Sequence, residues 1–431
     1  MNYLAHLIRS KGFGQSGQRA LSIARRYGVT SGKIVQAIER LIRTLEQYEC
    51  RATFPVTAAA LARHPAPICR LQEHGMEIAV HGWTHVDLGS YSIEQQREHL
   101  SRALDIFDRY GISAVGFRSP YLRRNDTIRE VVEVMGFQYL SNKPILWDTI
   151  SGLDWPGESV RAYQQAVDFY APCLSAGYLS LPAVQGRIVD IPVSLPDDEM
   201  LVERLGANST QIAQTWMKIL HQTYAREELF TMQFHPERAG ICMPALSLLL
   251  PEARSYSPPV WIARLDEVAE WWQQRLALRF DVTHEDDGQY HVAIQGPALA
   301  SALVRSAQVI GESEVWIDGW QLVRSHCFRV RCHPRPFIGV SERADGSLIS
   351  FLKQQGYLFE INEERAAYSI HLDRPNFSPQ DEKALVQEIE ASRSPLIRIN
   401  RWPGGARSAL AVTGDIDALT LWDYGLRLVG K

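Results

Sequence analysis

The chain has 431 residues, 45% apolar and 22% charged, with a formal net charge of −4. That balance is globular, long enough for two or three domains or one large domain with an insertion, and gives no basic field to recruit nucleic acid. Six irregularly spaced cysteines without a Cys-x-x-Cys pair point to free thiols in a reducing compartment. Residues 1–12 lack an apolar leader and no run has membrane-spanning length, so the expectation is a cytoplasmic protein without a transmembrane segment.

Residues 16–48 read as helical. Ile34, Val35, Ile38, Leu41, Ile42 and Leu45 recur at helical spacing behind an N-cap at Thr30 or Ser31. Residues 50–57 read as a short buried strand, and a helix over 68–74 stops at Gly75. Residues 77–80 form a second strand with His81 at its end. Ser92 and Gln95 make a capping box for a helix that runs to Gly111. Residues 115–118 are a third strand. Strand and helix alternate, so the sheet is expected to be largely parallel, with its site beyond the carboxyl ends of the strands. His81, Arg118 and Tyr121 fall there. Residues 187–193 and 229–234 are further strands, the latter delivering His235, and 261–272 reads as a closing helix.

The character changes after Trp272. Residues 273–405 read as a β-rich α+β module of unknown role, with strand runs at 314–317, 327–330 and 367–370. Helical patches are expected at 298–307 and 379–391. Trp316, Trp320, Tyr357, Phe359 and Tyr368 read as its core rather than as a sugar-stacking surface. Residues 401–405 read as a turn-rich linker. Residues 408–414 form an apolar strand ending in Asp415-Ile416-Asp417, followed by a short helix. The expected division is 1–272, 273–405 and 406–431.

His81 and His85 stand four residues apart at one end of the chain, and Asp415 and Asp417 close the other. Two imidazoles and a carboxylate are a common open zinc set, and a second carboxylate nearby can deprotonate the water it holds. The two ends must meet for this site to form. Taken alone, the histidine pair reads as two surface residues, and Asp-x-Asp after a strand as a turn or cap. His326, Cys327, Cys332 and His333 lie in alternating strand and read as structural rather than as a second zinc site.

Together these residues resemble the polysaccharide deacetylases, the carbohydrate esterase group with the NodB-homology domain. Residues 52–57 resemble that family's second core strand. His81-Gly82-Trp83-Thr84-His85 resembles its metal motif, Arg118-Ser119-Pro120-Tyr121 its Arg-x-Pro-Tyr motif, and Phe234-His235-Pro236 its closing motif. The family's first motif, a strand ending in two aspartates, is absent before Ala52, whereas Thr413-Gly414-Asp415-Ile416-Asp417 resembles it at the other terminus. The resemblance thus implies an α/β fold, a distorted (β/α) barrel, circularly permuted, with an inserted β-rich module. Strand exchange between two protomers, making a homo-oligomer, is the rival arrangement.

The resemblance further implies a metal-dependent N-deacetylase. Asp417, His81 and His85 would bind a divalent metal, most often Zn2+. Asp415 would be the general base, oriented by Arg118, and His235 the general acid. A backbone N–H near Tyr121 would face the oxyanion. Asp197 and Asp198 are expected as a solvated loop pair rather than as a relay to His235. The implied substrate is an N-acetylated saccharide in exopolysaccharide or cell-surface glycan synthesis. The rival readings are an inactive scaffold that binds saccharide or a partner, and an amidohydrolase acting on another amide.

Overall fold

The computed structural model describes residues 23, 26–285 and 288–428. The expected helix over 16–48 is seen as Gly32–Gln47; before it, residues 16–22, 24 and 25 lie outside the described residues, and 27–31 are not helical, because Gly28 bridges Thr420 there. Its buried stripe is Ile34, Ala37, Ile38, Leu41, Ile42 and Leu45, the apolar face that packing selects from the sequence period. Ser31 is the N-cap, without a side-chain capping bond.

One large sheet holds the first part of the chain. Its strands are β1 (Ala52–Val56), β2 (Glu77–Val80), β3 (Gly116–Phe117), β4 (Tyr139–Leu146), β5 (Cys173–Leu174), β6 (Ala183–Gln185), β7 (Ile188–Leu195), β8 (Leu229–Phe234) and β9 (Val260–Ile262). The C-terminal strand, Ser408–Gly414, joins them, giving the order β6-β7-β4-β3-β2-β1-C-terminal strand-β8. All ladders are parallel except β6 on β7. β1, β2, β8 and the C-terminal strand are buried along their whole length. Such continuous apolar runs belong to parallel strands covered on both faces.

The C-terminal strand is a central member of this sheet. Thr413 pairs with Thr53 on one side and Gly414 with Phe234 on the other. Beyond it, Gly28 bridges Thr420, and the Leu421 N–H donates to the Gly28 carbonyl at 3.0 Å. The two ends of one chain therefore meet in space, and the sheet is completed in cis. The largely parallel α/β sheet expected from the alternation is what forms.

Three local expectations are corrected. Residues 260–262 are strand, and the following helix begins only at Leu265. Pro258 and Pro259 precede this stretch, and its backbone pairs with Ser408–Leu410; ladder bonds win over helical spacing. Residues 302–305 are strand, not helix, wedged between Trp320–Val323 and Leu396–Ile399 and buried throughout. The turn at 401–405 is no exposed linker: Trp402 is fully buried, its indole donating to the Glu227 carbonyl at 3.0 Å.

Residues 279–399 form three smaller sheets of four, four and three strands. Trp316, Trp320, Tyr357 and Tyr368 are buried in their core, with Phe359 packed against it.

Candidate metal and active site

β2 ends at Val80, and the next residue, His81, is placed at the rim of the sheet. Gly82 then takes φ +84°, and a Cβ on it would fall 2.8 Å from His99 Nε2, so only glycine fits this turn. The Trp83 N–H donates to that nitrogen at 2.9 Å, so His99 braces the turn that returns His85 toward His81. Burial holds the His99 imidazole down at about 4, neutral and able to accept. The two rings stand edge to face, 5.2 Å apart.

Asp417 arrives from the C-terminal strand. Its Oδ1 lies 3.3 Å from His81 Nε2 and its Oδ2 3.5 Å from His85 Nε2. One donor atom from each of the three residues falls within 4.8 Å of the others, the only such cluster among the described residues. His326, Cys327, Cys332 and His333 form none, and the thiols are free.

The donors suit a divalent cation. His81 Nδ1 lies 2.8 Å from the Arg118 carbonyl oxygen, which only accepts, so Nδ1 carries a proton there and Nε2 is the nitrogen aimed at the Asp417 carboxylate. Such an outer carbonyl is the usual device for aiming a metal-binding imidazole. Asp417 Oδ1 and His85 Nδ1 are buried with no hydrogen-bond partner among the described residues. Burial holds His85 well below the usual imidazole range, with Arg427 adding to it. Burial would raise Asp417, but Arg427, His85 and His81 outweigh it and keep the carboxylate ionised. Neutral imidazoles and an ionised carboxylate are ligand-ready species.

A positive charge already stands at this cluster. Arg427, on the helix Leu421–Leu428, donates to Asp417 Oδ2 at 2.6 Å and to His85 Nε2 at 3.1 Å. Nothing in the sequence pattern of a helical tail marks this residue.

Asp415, also at the end of the C-terminal strand, is held from two sides. Arg118 Nη1 donates to its Oδ1 at 2.8 Å and Gln233 Nε2 to its Oδ2 at 3.0 Å. The Arg118 guanidinium is fully buried and also engages Thr413 Oγ1, Ser141 Oγ and the Ser141 carbonyl. Tyr121 takes φ +60°, and its ring stands edge-on to His85 at 4.5 Å.

His235 follows β8. Asp198 is its partner: Oδ1 lies 2.8 Å from Nδ1, and Oδ2 accepts the His235 backbone N–H at 2.8 Å. Burial alone would lower the imidazole; the Asp198 charge and hydrogen bond reverse this and lift it to about 10. Asp197 and Asp198 are both buried, so the solvated-pair expectation is overturned. The chain folds them under β8, where Arg238 also reaches Asp198 at 3.3 Å. Burial and the Asp198 charge raise Asp197 to about 7. Asp198 itself stays low: burial would raise it, but His235 and Arg238 prevail. Gln233 and Ser141 reach Asp415 and Arg118 only across the sheet, and such pairs leave no local pattern in the sequence.

His81, His85, Tyr121, His235, Asp415 and Asp417 all line one cavity of about 80 Å³, and Arg118 stands behind Asp415. All seven residues singled out in the sequence are thus brought to one place.

Residues 27–140 match the family model described as polysaccharide deacetylase. The chain is 25% identical over 159 residues to chitin deacetylase 1 of Cryptococcus neoformans var. grubii, covering 33% of each protein. It is 26% identical over 131 residues to the peptidoglycan deacetylase-like protein FGM2 of Gibberella zeae, covering 30% of this chain and 38% of that one. These matches span little more than a third of the curated relatives. A solved structure of a putative polysaccharide deacetylase from Mycobacterium smegmatis superposes with a TM-score of 0.43 at 21% identity, over 55% of this chain and 77% of that one. Over residues 27–140 the chain carries the sequence pattern of the polysaccharide deacetylase family model.

Proposed function

We propose that the protein is a metal-dependent N-deacetylase of an acetylated saccharide. The observation that carries this reading is the meeting of Asp415 and Asp417 with His81 and His85 in one buried cluster, although they lie at opposite ends of the sequence.

His81, His85 and Asp417 would hold the divalent ion, with zinc best suited to two imidazoles and a carboxylate. When bound, such an ion supplies Lewis-acid activation of water near neutral pH. Asp415 takes the water proton, its carboxylate aimed by Arg118 and Gln233 so that little rearrangement is needed. The attacked N-acetyl carbonyl develops negative charge, and the backbone N–H of Tyr121 is the donor offered to it. His235, kept protonated by Asp198 at neutral pH, gives its proton to the departing amine. Acid and base are thereby separate groups, each held by its own partners.

The permuted order of the family's motifs belongs to this proposal too. It is supported by the parallel pairing of the C-terminal strand between β1 and β8 and by the bridge from Gly28 to Thr420. Cytoplasmic action on a saccharide precursor remains part of the same proposal. Among the described residues no helix is long and apolar enough to cross a membrane.

One observation favours a second reading, a metal-free scaffold: the Arg427 guanidinium already neutralises Asp417. Acetate release from acetylated chito-oligosaccharides and other N-acetyl sugars, with added zinc or cobalt, separates the two. The enzyme reading requires turnover by the wild type and its loss in Asp415→Asn, His81→Ala and His235→Ala. Failure to bind either metal would sink it.

A further inference from the structure

A second cleft, of about 800 Å³, opens where the chain enters β8. The reacting groups proposed above follow β8 and the C-terminal strand; this cleft precedes them. Glu228 stands just before β8 and Arg407 just before the C-terminal strand. Strands of six and seven residues separate the two places by about 20 Å. The opposite wall is the turn at 318–320, the helix Glu382–Ala391 and Arg305.

The lining is basic in a chain of net negative charge. Arg226, Arg305, Lys383, Arg393, Arg401 and Arg407 face four acids. Each acid is already held: Glu227 by Arg398 at 2.6 Å, Glu228 by Lys383 at 3.2 Å, Asp318 by Arg407 at 3.2 Å and Glu390 by Arg305 at 3.2 Å. Two positive charges are left over, and Arg398 stands behind the wall. The guanidiniums of Arg305 and Arg398 both lie over the Trp320 ring, 4.6 and 4.8 Å from its centre. That stacking fixes the wall, since cations over an indole face are attracted by its quadrupole. Burial together with the charges of Arg401 and Arg398 pushes Arg275 down to about 9, a sign of the same local excess.

A network built only to staple the two sides would leave no donors over. Here Arg401 Nη2 and Arg407 Nε, on residues more than nine-tenths buried, have no hydrogen-bond partner among the described residues. At the mouth Arg393 is exposed, in a left-handed conformation, with no side-chain partner among the described residues. Buried donors without acceptors are costly to keep unless something supplies the acceptor.

We infer that this cleft binds a phosphorylated small molecule of nucleotide size. Guanidinium forks match phosphate oxygens in pairs, the volume is that of a small-molecule site rather than of a lone ion, and the Trp320 ring already carries two guanidiniums, which leaves charge as the recognition element. Arg401 and Arg407 hold the phosphate groups inside, and Arg226 and Arg393 guide them at the rim.

The test is calorimetric titration of the full chain with pyrophosphate, ADP and citrate in about 0.15 M salt. Pyrophosphate and ADP are expected to bind, with citrate weaker by about tenfold or more. The double variant Arg226→Ala/Arg393→Ala changes exposed residues and is expected to lose about tenfold in affinity for both phosphates; its melting temperature is measured too, because Arg226 also bonds the Ser175 carbonyl and lies over the Trp147 ring. Arg401→Met should lose more, and its melting temperature is read alongside. No heat from either phosphate up to about 1 mM, or equal affinity in wild type and double variant, overturns the site. Citrate binding as tightly as the phosphates overturns the ligand class.

Discussion

Arg427 already puts a positive charge at the candidate metal cluster. Its guanidinium reaches Asp417 Oδ2 and His85 Nε2, so an incoming dication would sit a few ångströms from that fixed charge. Unit charges about 4 Å apart repel by roughly 4 kcal/mol at an effective dielectric of 20. Arg427→Ala is therefore expected to tighten cobalt or zinc at least about tenfold, read by the visible cobalt spectrum or by competition with a chelator. A weaker metal in the variant would mean that Arg427 supports the ion rather than replacing it. The Asp198 and His235 pair gives a second residue-scale outcome. Asp198→Asn removes the charge that lifts His235 to about 10, so the alkaline limb of kcat should move down in pH while the acid limb stays. The same pair sets a stability window. His235 is raised in the fold, so its contribution is whole below its unfolded pKa near 6.5 and fades as pH climbs through 10. Asp198 is lowered, so its share is whole above its unfolded pKa and fades as pH falls toward its folded one. Chemical denaturation of wild type and Asp198→Asn at pH 5, 7 and 10 checks the sign, with the smallest difference expected at 10.

At the scale of elements, the last residue of the C-terminal strand shows how tightly the carboxylates are delivered. A Cβ at Gly414 would lie 2.7 Å from Phe54 Cε1 and 3.0 Å from its Cδ1. Phe54 is fully buried in β1, so the ring cannot give way freely. Gly414→Ala should cost about 1–3 kcal/mol through overpacking and displace the adjacent Asp415. Phe54→Leu in the same chain should restore part of both. Thermal unfolding and metal affinity read the two effects separately; an unaltered melting temperature in Gly414→Ala would show that the contact yields. Elements of this kind were visible in the sequence where local signals ruled. The box at Ser92 and Gln95 forms as spelled, and the strand of the C-terminal aspartates runs 408–414 as its apolar run suggests. Where tertiary pairing ruled, local signals misled. Residues 302–305 carry a helical-looking Ala-Leu-Val-Arg but are buried on both faces between two strands. The partners of the site residues are harder still. Asp198 meets His235 across 37 positions and Arg118 meets Asp415 across 297; no window of sequence contains such a pair.

For the molecule as a whole, the decisive fact is that the chain's end supplies a central strand. Ser408–Gly414 has β1 on one side and β8 on the other, and all seven of its residues are buried. A shortened chain that lacks it must split the sheet in two and expose both facing ladders, and every unpaired backbone group left buried there is costly. The helix Leu421–Leu428 lies outside the sheet and carries Arg427 and an exposed Trp422. Two truncations therefore have opposite outcomes. A chain ending at residue 420 keeps the strand, Asp415 and Asp417, and should unfold cooperatively at a somewhat lower temperature while binding metal at least as tightly as the full chain. A chain ending at residue 405 loses the strand and both carboxylates. It should show no cooperative thermal transition, bind a dye for exposed apolar surface and hold no metal. Circular dichroism and metal titration on the pair decide between the views. Cooperative unfolding of the 405 truncation at near wild-type temperature would mean that the terminal strand is an accessory to a sheet that is complete without it, and a site assembled from both ends of the chain would then have to be abandoned.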